Sequence, residues 1–264
     1  GFGALTAAPR AANIGASFQH RMDAMPAPSQ LCFSLSALAI VVGTPALAVT
    51  AEELWAEWQA QSAGMRQIVT AEELVPGDGT LTINGYASTY TDGDVSTVGR
   101  IDQIVMTEAG DGSVSVTMTD TYALTVSFRP DRDDPPINLG FDVILPDLEI
   151  AVSGETGARL YEYTAPRVSI EDTGISGGEG PLPSIDLTIA MEDLAATYRV
   201  NGTDPTDMAY DSSTSMAGMI GALDVRPPPG EDGQLKVNFA LGAIETEGSG
   251  RLGNLVAVGA NPDI

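Results

Sequence analysis

Two short glycine-bearing motifs carry the residue types that catalysis needs. Asp172-Thr173-Gly174 is the tripeptide in which aspartic proteases hold one of two carboxylates that share a proton and activate water. That chemistry needs a second copy and apolar residues ahead of the aspartate. Here Glu171 precedes it and the chain has no other Asp-Thr-Gly. Gly174-Ile175-Ser176-Gly177-Gly178 overlaps it and matches the nucleophile-elbow pattern G-x-S-x-G. An elbow serine requires a strand, a sharp turn and a helix, together with a histidine base. No helical pattern follows Gly178, and the one histidine, His20, stands far upstream. Lys236 is the one lysine, and nothing in the sequence links it to Ser176. Both motifs read as a strand end and a glycine-rich turn, so no catalytic residue is assigned. A pair of close carboxylates, such as Asp172 with Glu171 or Glu192, is the least that a hydrolytic site would require.

Hard oxygen ligands are plentiful in Asp92-Gly93-Asp94, in Asp131-Arg132-Asp133-Asp134-Pro135 and in Asp204, Asp207 and Asp211. None follows the spacing of a calcium loop, and aspartate and glycine are also the residues that β-turns prefer. No metal site is assigned from them. The chain likewise has no phosphate-cradling Walker motif and no G-x-G-x-x-G between a strand and a helix, so no cofactor is expected. With 36 acidic against 12 basic residues, a formal net charge of −24, the surface repels nucleic acid.

The segments that would position any site begin with Leu31 to Met65. An apolar run, Leu31 to Val42, follows a thin basic stretch at His20 and Arg21 and leads to Gly43, Pro45 and Ala46-Leu47-Ala48. An apolar run of that length before an A-x-A site is the pattern of a secretory signal, and it is too short for a membrane span. Residues 1–48 are therefore read as an upstream extension plus signal peptide, and 49–264 as one elongated β domain. The compartment is expected to be the periplasm, with the extracellular space as the alternative. Cleavage at Ala48 removes His20 and Cys32, so neither a disulfide nor a histidine base would remain.

Thr50 with Glu53 makes a capping box, flanked by Val49 and Leu54 as a hydrophobic staple. A helix over Ala51 to Met65 is predicted, with Leu54, Trp55, Trp58, Ser62 and Met65 on one side, capping a sheet. The pentapeptide Thr-Ala-Glu-Glu-Leu recurs at Thr70 to Leu74, between Ile68-Val69 and Val75, where it reads as a strand entering a hairpin at Pro76-Gly77-Asp78-Gly79.

From Thr80 the chain alternates apolar and polar residues. Examples are Leu81 and Ile83; Val114, Val116 and Met118; Tyr122 to Phe128; Leu148, Ile150 and Val152; Val168 and Ile170; Ile185 to Met191; Tyr198 and Val200; and Leu235 to Leu241. Period-two alternation is that of half-buried antiparallel strands. Turn signals at Asp92-Gly93-Asp94, Gly110-Asp111-Gly112, Gly154 to Gly157, Asn201-Gly202 and Asp232-Gly233 separate them. The fold class is mainly β, a hairpin-rich antiparallel sheet forming either an open curved groove or a sandwich, with one N-terminal helix. A sub-boundary, if there is one, falls at 174–183.

Val49 to Trp58, Gly77-Asp78-Gly79-Thr80-Leu81-Thr82-Ile83, Gly110-Asp111-Gly112-Ser113-Val114-Ser115-Val116 and Leu160 to Ile175 together resemble the domain of unknown function 2125 family, uncharacterised exported proteins of Gram-negative bacteria. The resemblance covers most of 49–264. It brings no catalytic residues to carry over, and it implies a chain truncated at Ile264, because members are often longer.

Many strands share one apolar face, and one helix is too little to cover them. The expected function is therefore that of a nonenzymatic periplasmic protein, serving envelope maintenance or the carriage of an apolar ligand or lipid. The candidate apolar groove is Leu148, Ile150, Val152, Ile185, Leu187 and Ile189. An unidentified envelope protein is a further candidate partner. The alternative is a secreted acidic surface or adhesion module whose loops bind calcium.

Overall fold

The computed structural model describes residues 48–131, 133–204 and 207–251. The signal-peptide reading, with Cys32 and His20, lies outside the described residues. Those described belong to a single compact unit that runs from Gly43. Helix α1 spans Ala51–Gly64 and is followed by fourteen strands: β1 (Gln67–Thr70), β2 (Glu73–Gly77), β3 (Thr80–Asp92), β4 (Val95–Glu108), β5 (Val114–Met118), β6 (Thr121–Phe128), β7 (Ile137–Ile144), β8 (Glu149–Glu155), β9 (Ala158–Gly177), β10 (Ser184–Asn201), β11 (Ala209–Met216), β12 (Gly218–Arg226), β13 (Leu235–Leu241) and β14 (Ile244–Arg251). All belong to one antiparallel sheet. Among the described residues no helix is long and apolar enough to cross a membrane.

The strand order simplifies once registers are compared. β12 and β11 lie along one side of β10 in a single register, from Ser184 opposite Arg226 to Asn201 opposite Ala209. β13 and β14 continue that register beyond them, from Val225 opposite Leu235 to Ala209 opposite Arg251. β1 and β2 likewise share one register along β3. The pairs β5–β6 and β7–β8 fill the places of single long strands between β4 and β9. The sheet is thus an up-and-down meander of nine long strands, most of them interrupted near the middle. A meander follows from short Asp-Gly and Asn-Gly turns, which connect only neighbours.

The interruptions fall in a line across the sheet. Glu72 donates its backbone N–H to the Asn84 carbonyl at 2.9 Å beside Gly85, whose φ is +62°. Asp147 and Asp193 also adopt positive φ, 55° and 51°, and Ala217 donates to the Glu192 carbonyl at 2.9 Å. Left-handed residues inside strands act as bulges: they bend the strand and shift its alternation by one residue. On β10 the shielded side passes from Ile185, Leu187, Ile189 and Met191 to Leu194, Ala196, Tyr198 and Val200. On β9 it passes from Tyr161, Tyr163 and Ala165 to Val168 and Ile170. The crease therefore keeps the apolar side of each strand on the same face of a bent sheet.

Helix α1 covers the half of that face built from β5, β8, β11 and the adjoining parts of β3, β4, β9 and β10, and it also contacts β1, while β2 at the edge stays exposed. Its start is held by the Thr50–Glu53 capping box, with Glu53 N–H donating to Thr50 Oγ1 at 3.1 Å. The Glu108 carboxylate accepts from the Ala51 N–H at 3.1 Å, which also places a negative charge at the positive end of the helix dipole. Leu54 and Trp55 then bury against Leu81, Ile83, Ile104, Met106, Val114, Val116 and Val152. The largest fully buried side chains of the described residues all lie in α1, just before it, or on this half of the sheet. The second Thr-Ala-Glu-Glu-Leu, helical in its first copy, crosses the crease between β1 and β2. Tertiary context decides between the two conformations.

Candidate functional site

Among the described residues no helix lies over the part of the sheet beyond the crease that β10, β12 and β13 form. Ile185, Leu187 and Met191 of β10 stand opposite Val225, Leu223 and Met219 of β12, and Ile189 opposite Ile170 of β9. Val225, Leu223 and Met219 in turn stand opposite Leu235, Val237 and Leu241 of β13. Residues paired directly across antiparallel strands project to the same face, so these side chains form one apolar surface. It continues the other way through Val143 opposite Ile170, Phe141 opposite Leu124 and Leu139 opposite Val126. Gly221 lies under the Phe239 ring and Gly99 under Tyr122, at positions where a Cβ would collide with the aromatic ring above. Exposure rises towards the outer strand: Ile185, Leu187 and Ile189 are half-buried, and Leu235 and Leu241 of β13 are 55% and 51% exposed.

The six residues singled out for a groove therefore separate. Ile150 and Val152 are buried in the core under α1, and Leu148 packs against that core. Ile185, Leu187 and Ile189 line the unroofed half. Missed from the sequence were Leu223 and Val225 on β12, where Gly221 breaks the alternation, and Leu139, Phe141 and Val143 on β7. On β7 the two-residue period is plain in Ile137-Asn138-Leu139-Gly140-Phe141-Asp142-Val143.

The polar motifs are used structurally. Asp172 sits at a register shift between β7 and β9, and its Oδ1 accepts a hydrogen bond from the Leu187 backbone N–H. The β9–β10 pairing ends at Glu171 opposite Thr188, and the carboxylate satisfies the Leu187 donor just beyond it. Glu171 is its neighbour on the same strand and points to the opposite face. Glu192 pairs with Arg167 at 3.1 Å. Ser176 is exposed on β9 opposite Asn138, and the Lys236 ammonium is 3.2 Å from Asp224, so serine and lysine are not brought together. The Gly174 to Pro183 stretch ends β9 and forms the link to β10. Of the acidic groups, Asp92-Gly93-Asp94 forms the β3–β4 turn and Asp207 pairs with Arg251. Among the described residues no three His, Cys, Asp or Glu side chains converge as metal ligands.

On the opposite face of β12, behind Leu223 and Val225, Asp224 is buried and collects Gln234 Nε2 at 2.7 Å, Arg226 at 2.9 Å and Lys236. The hydrogen bond from Gln234, then that from Arg226, holds its carboxyl at about 2. On the roofed half, desolvation by burial pushes the Tyr161, Tyr163 and Tyr198 phenols up. These rings form a ladder with Tyr210, their centroids 5.8 to 6.4 Å apart. Neutral stacked phenols are a packing device and offer no base near neutral pH.

One small cavity of about 80 Å³ lies beside α1, lined by Glu57, Gln61, Arg159, Val200 and Met208. Sites for organic ligands usually occupy about 300 Å³ or more, so it is too small to hold one. Larger hollows of about 490 and 390 Å³ lie on the outer face of β9, β10, β11 and β14, lined by Thr197, Ser213 and Glu247 among others, and one of about 470 Å³ lies at the crease beside Thr70, Asn84 and Arg100. Thr197 and Ser213 hydrogen-bond across the first two at 2.8 Å. The extended apolar surface differs from these hollows in being continuous across β7, β9, β10, β12 and β13.

No known relative decides the matter. No protein-family model matches the chain, and neither a curated protein nor a solved structure is significantly similar to it.

Proposed function

We propose that the protein is a nonenzymatic carrier of an apolar ligand of the acyl-chain class, working in the periplasm. The observation that supports this reading is the outer part of the sheet, where Ile185, Leu187 and Ile189 meet Leu223 and Val225 on one face with no described element above them. Monomeric proteins rarely leave a contiguous apolar surface of this extent without using it. Each methylene transferred from water to such a surface gains up to about 0.8 kcal/mol, less where the chain stays open to solvent on one side. The crease suits this division of labour, because the roofed half can supply stability while the other half stays free. The export pattern and the likeness to domain of unknown function 2125 proteins point to the cell envelope as the setting.

The test is to recover the protein from cell envelopes under gentle conditions, extract it with organic solvent and examine the extract by mass spectrometry. Acyl lipids present in stoichiometric amount, and absent from a Leu187→Asp/Leu223→Asp variant of unchanged circular dichroism, are expected. A lipid-free extract, together with no displaceable binding of a fluorescent fatty acid, would sink the proposal.

A further inference from the structure

We infer that β13 is a dimerisation edge, pairing antiparallel with β13 of a second copy of this chain about a two-fold axis through Asn238. β13 is hydrogen-bonded to β12 on one side, and no described strand lies on the other. Every residue from Leu235 to Leu241 is exposed. Natural sheets protect such an edge with charges turned inward, proline, bulges or a short strand. β13 has none of these: it runs seven residues without proline, and its side chains on the apolar face are Leu235, Val237, Phe239 and Leu241. Its one charge, Lys236, lies on the other face and is matched by Asp224 of the same copy at 3.2 Å.

The occupant follows from the pattern of the strand itself. The apolar face of Leu-Lys-Val-Asn-Phe-Ala-Leu is symmetric about Asn238, with Leu235 mirrored by Leu241 and Val237 by Phe239. Antiparallel self-pairing there sets Leu235 against Leu241 of the second copy, Val237 against Phe239, and Asn238 against its own equivalent. All four apolar side chains of each copy then cover those of the other. Lys236 falls opposite Ala240, so no like charges meet although the chain carries a net charge of −24. Most other surfaces, Glu245 and Glu247 on β14 among them, would set carboxylates against carboxylates in a second copy. A two-fold axis normal to the sheet leaves the apolar faces of both copies on the same side. The contact is small, of the size class of weak and reversible associations. This inference rests on the edge and not on ligand carriage, and an empty protein would dimerise too.

Sedimentation of the full-length chain over about 1–100 µM, the range in which weak dimers dissociate, reads the result directly. Two copies are expected for the parent. Leu235→Lys/Leu241→Lys changes two side chains that are more than half exposed, so its melting temperature should match that of the parent. It should weaken the dimer by at least about tenfold, because it sets lysine against lysine. Mixed with Leu235→Glu/Leu241→Glu it should form a one-to-one complex, since lysine then meets glutamate at both ends. Asn238→Cys with Cys32→Ser should cross-link to a dimer on mild oxidation. A parent that stays single over the whole range overturns the inference, whether β13 is covered by residues 252–264 of its own chain or by something else. So does a dimer that survives the two lysines unchanged, or one that will not cross-link at 238.

Discussion

Glu57 of α1 and Arg159 of β9, 102 residues apart in the chain, form a two-pronged ion pair in which Nε meets Oε2 at 2.9 Å and Nη2 meets Oε1 at 2.7 Å. The arginine side chain is 3% exposed, and its remaining nitrogen, Nη1, donates to the carbonyl of Gly154 near the end of β8. The pair fastens the helix to the sheet on the far side from the Glu108 contact. α1 is thereby held over one half of the apolar face.

Breaking this pair by removing one partner should cost more than removing both. Glu57→Ala strands a buried guanidinium and is expected to lower unfolding free energy by about 3–5 kcal/mol. Glu57→Ala/Arg159→Met should recover a large part of that, because the arginine stem is replaced by apolar volume of similar length. Urea unfolding followed by tryptophan fluorescence measures both, since Trp55 and Trp58 lie on the same helix. A loss below about 1 kcal/mol for the single variant would show the pair to be dispensable.

Acid should weaken the β12–β13 corner through Asp224. Its carboxyl is held at about 2, against an ordinary value of 3.8, chiefly by Gln234 and then by Arg226. A carboxyl depressed on folding stabilises the protein fully above its unfolded value, and the contribution fades as pH falls from about 4 to about 2. Parent and Asp224→Asn should therefore differ most at pH 5 and above and converge near pH 2, as read by urea midpoints at each pH. Gln234→Ala should raise the folded-state value and narrow the window. Parallel pH profiles for parent and Asp224→Asn would contradict this.

The crease makes its own demand on backbone conformation. Asp193 holds φ 51° within β10, where a β-branched side chain is strained and glycine is not. Asp193→Val should lose about 1–2 kcal/mol or more, whereas Asp193→Gly should stay close to the parent. If the valine variant melts at the parent temperature, the bend does not depend on that residue.

Much of the architecture can be read from the residues alone, for definable reasons. The Thr50–Glu53 box and Val49–Leu54 staple mark the helix start because capping is local chemistry, and the Asp-Gly and Asn-Gly turns mark hairpins for the same reason. The crease is only half visible. Each apolar run changes parity between its halves, as from Met191 to Leu194 or from Ala165 to Val168, but parity alone does not say that the shifts line up across nine strands. Register supplies that. The division of the groove candidates follows from the same cause, because Val152 and Leu187 have equivalent patterns and differ only in lying under α1 or beyond it. β12 was obscured because Gly221 replaces an apolar residue to make room for Phe239, a compensation between strands that one strand cannot reveal.

That difference between Val152 and Leu187 can be turned into a measurement. Val152 is fully buried, and placing a carboxylate there without a partner should cost more than about 4 kcal/mol and unfold much of the protein. Leu187 is half-buried on a face open to water, where an aspartate can stay hydrated, so Leu187→Asp should cost less than about 1.5 kcal/mol. If acyl chains lie on this face, the same change should weaken displacement of a fluorescent fatty acid by about tenfold or more, since it adds the cost of desolvating the carboxylate to the loss of apolar contact. Thermal melts and titrations on the same samples separate the two effects. A Leu187→Asp protein that melts well below the parent would mean that the face is packed against part of the chain, and unchanged probe binding by a stable variant would move the ligand elsewhere.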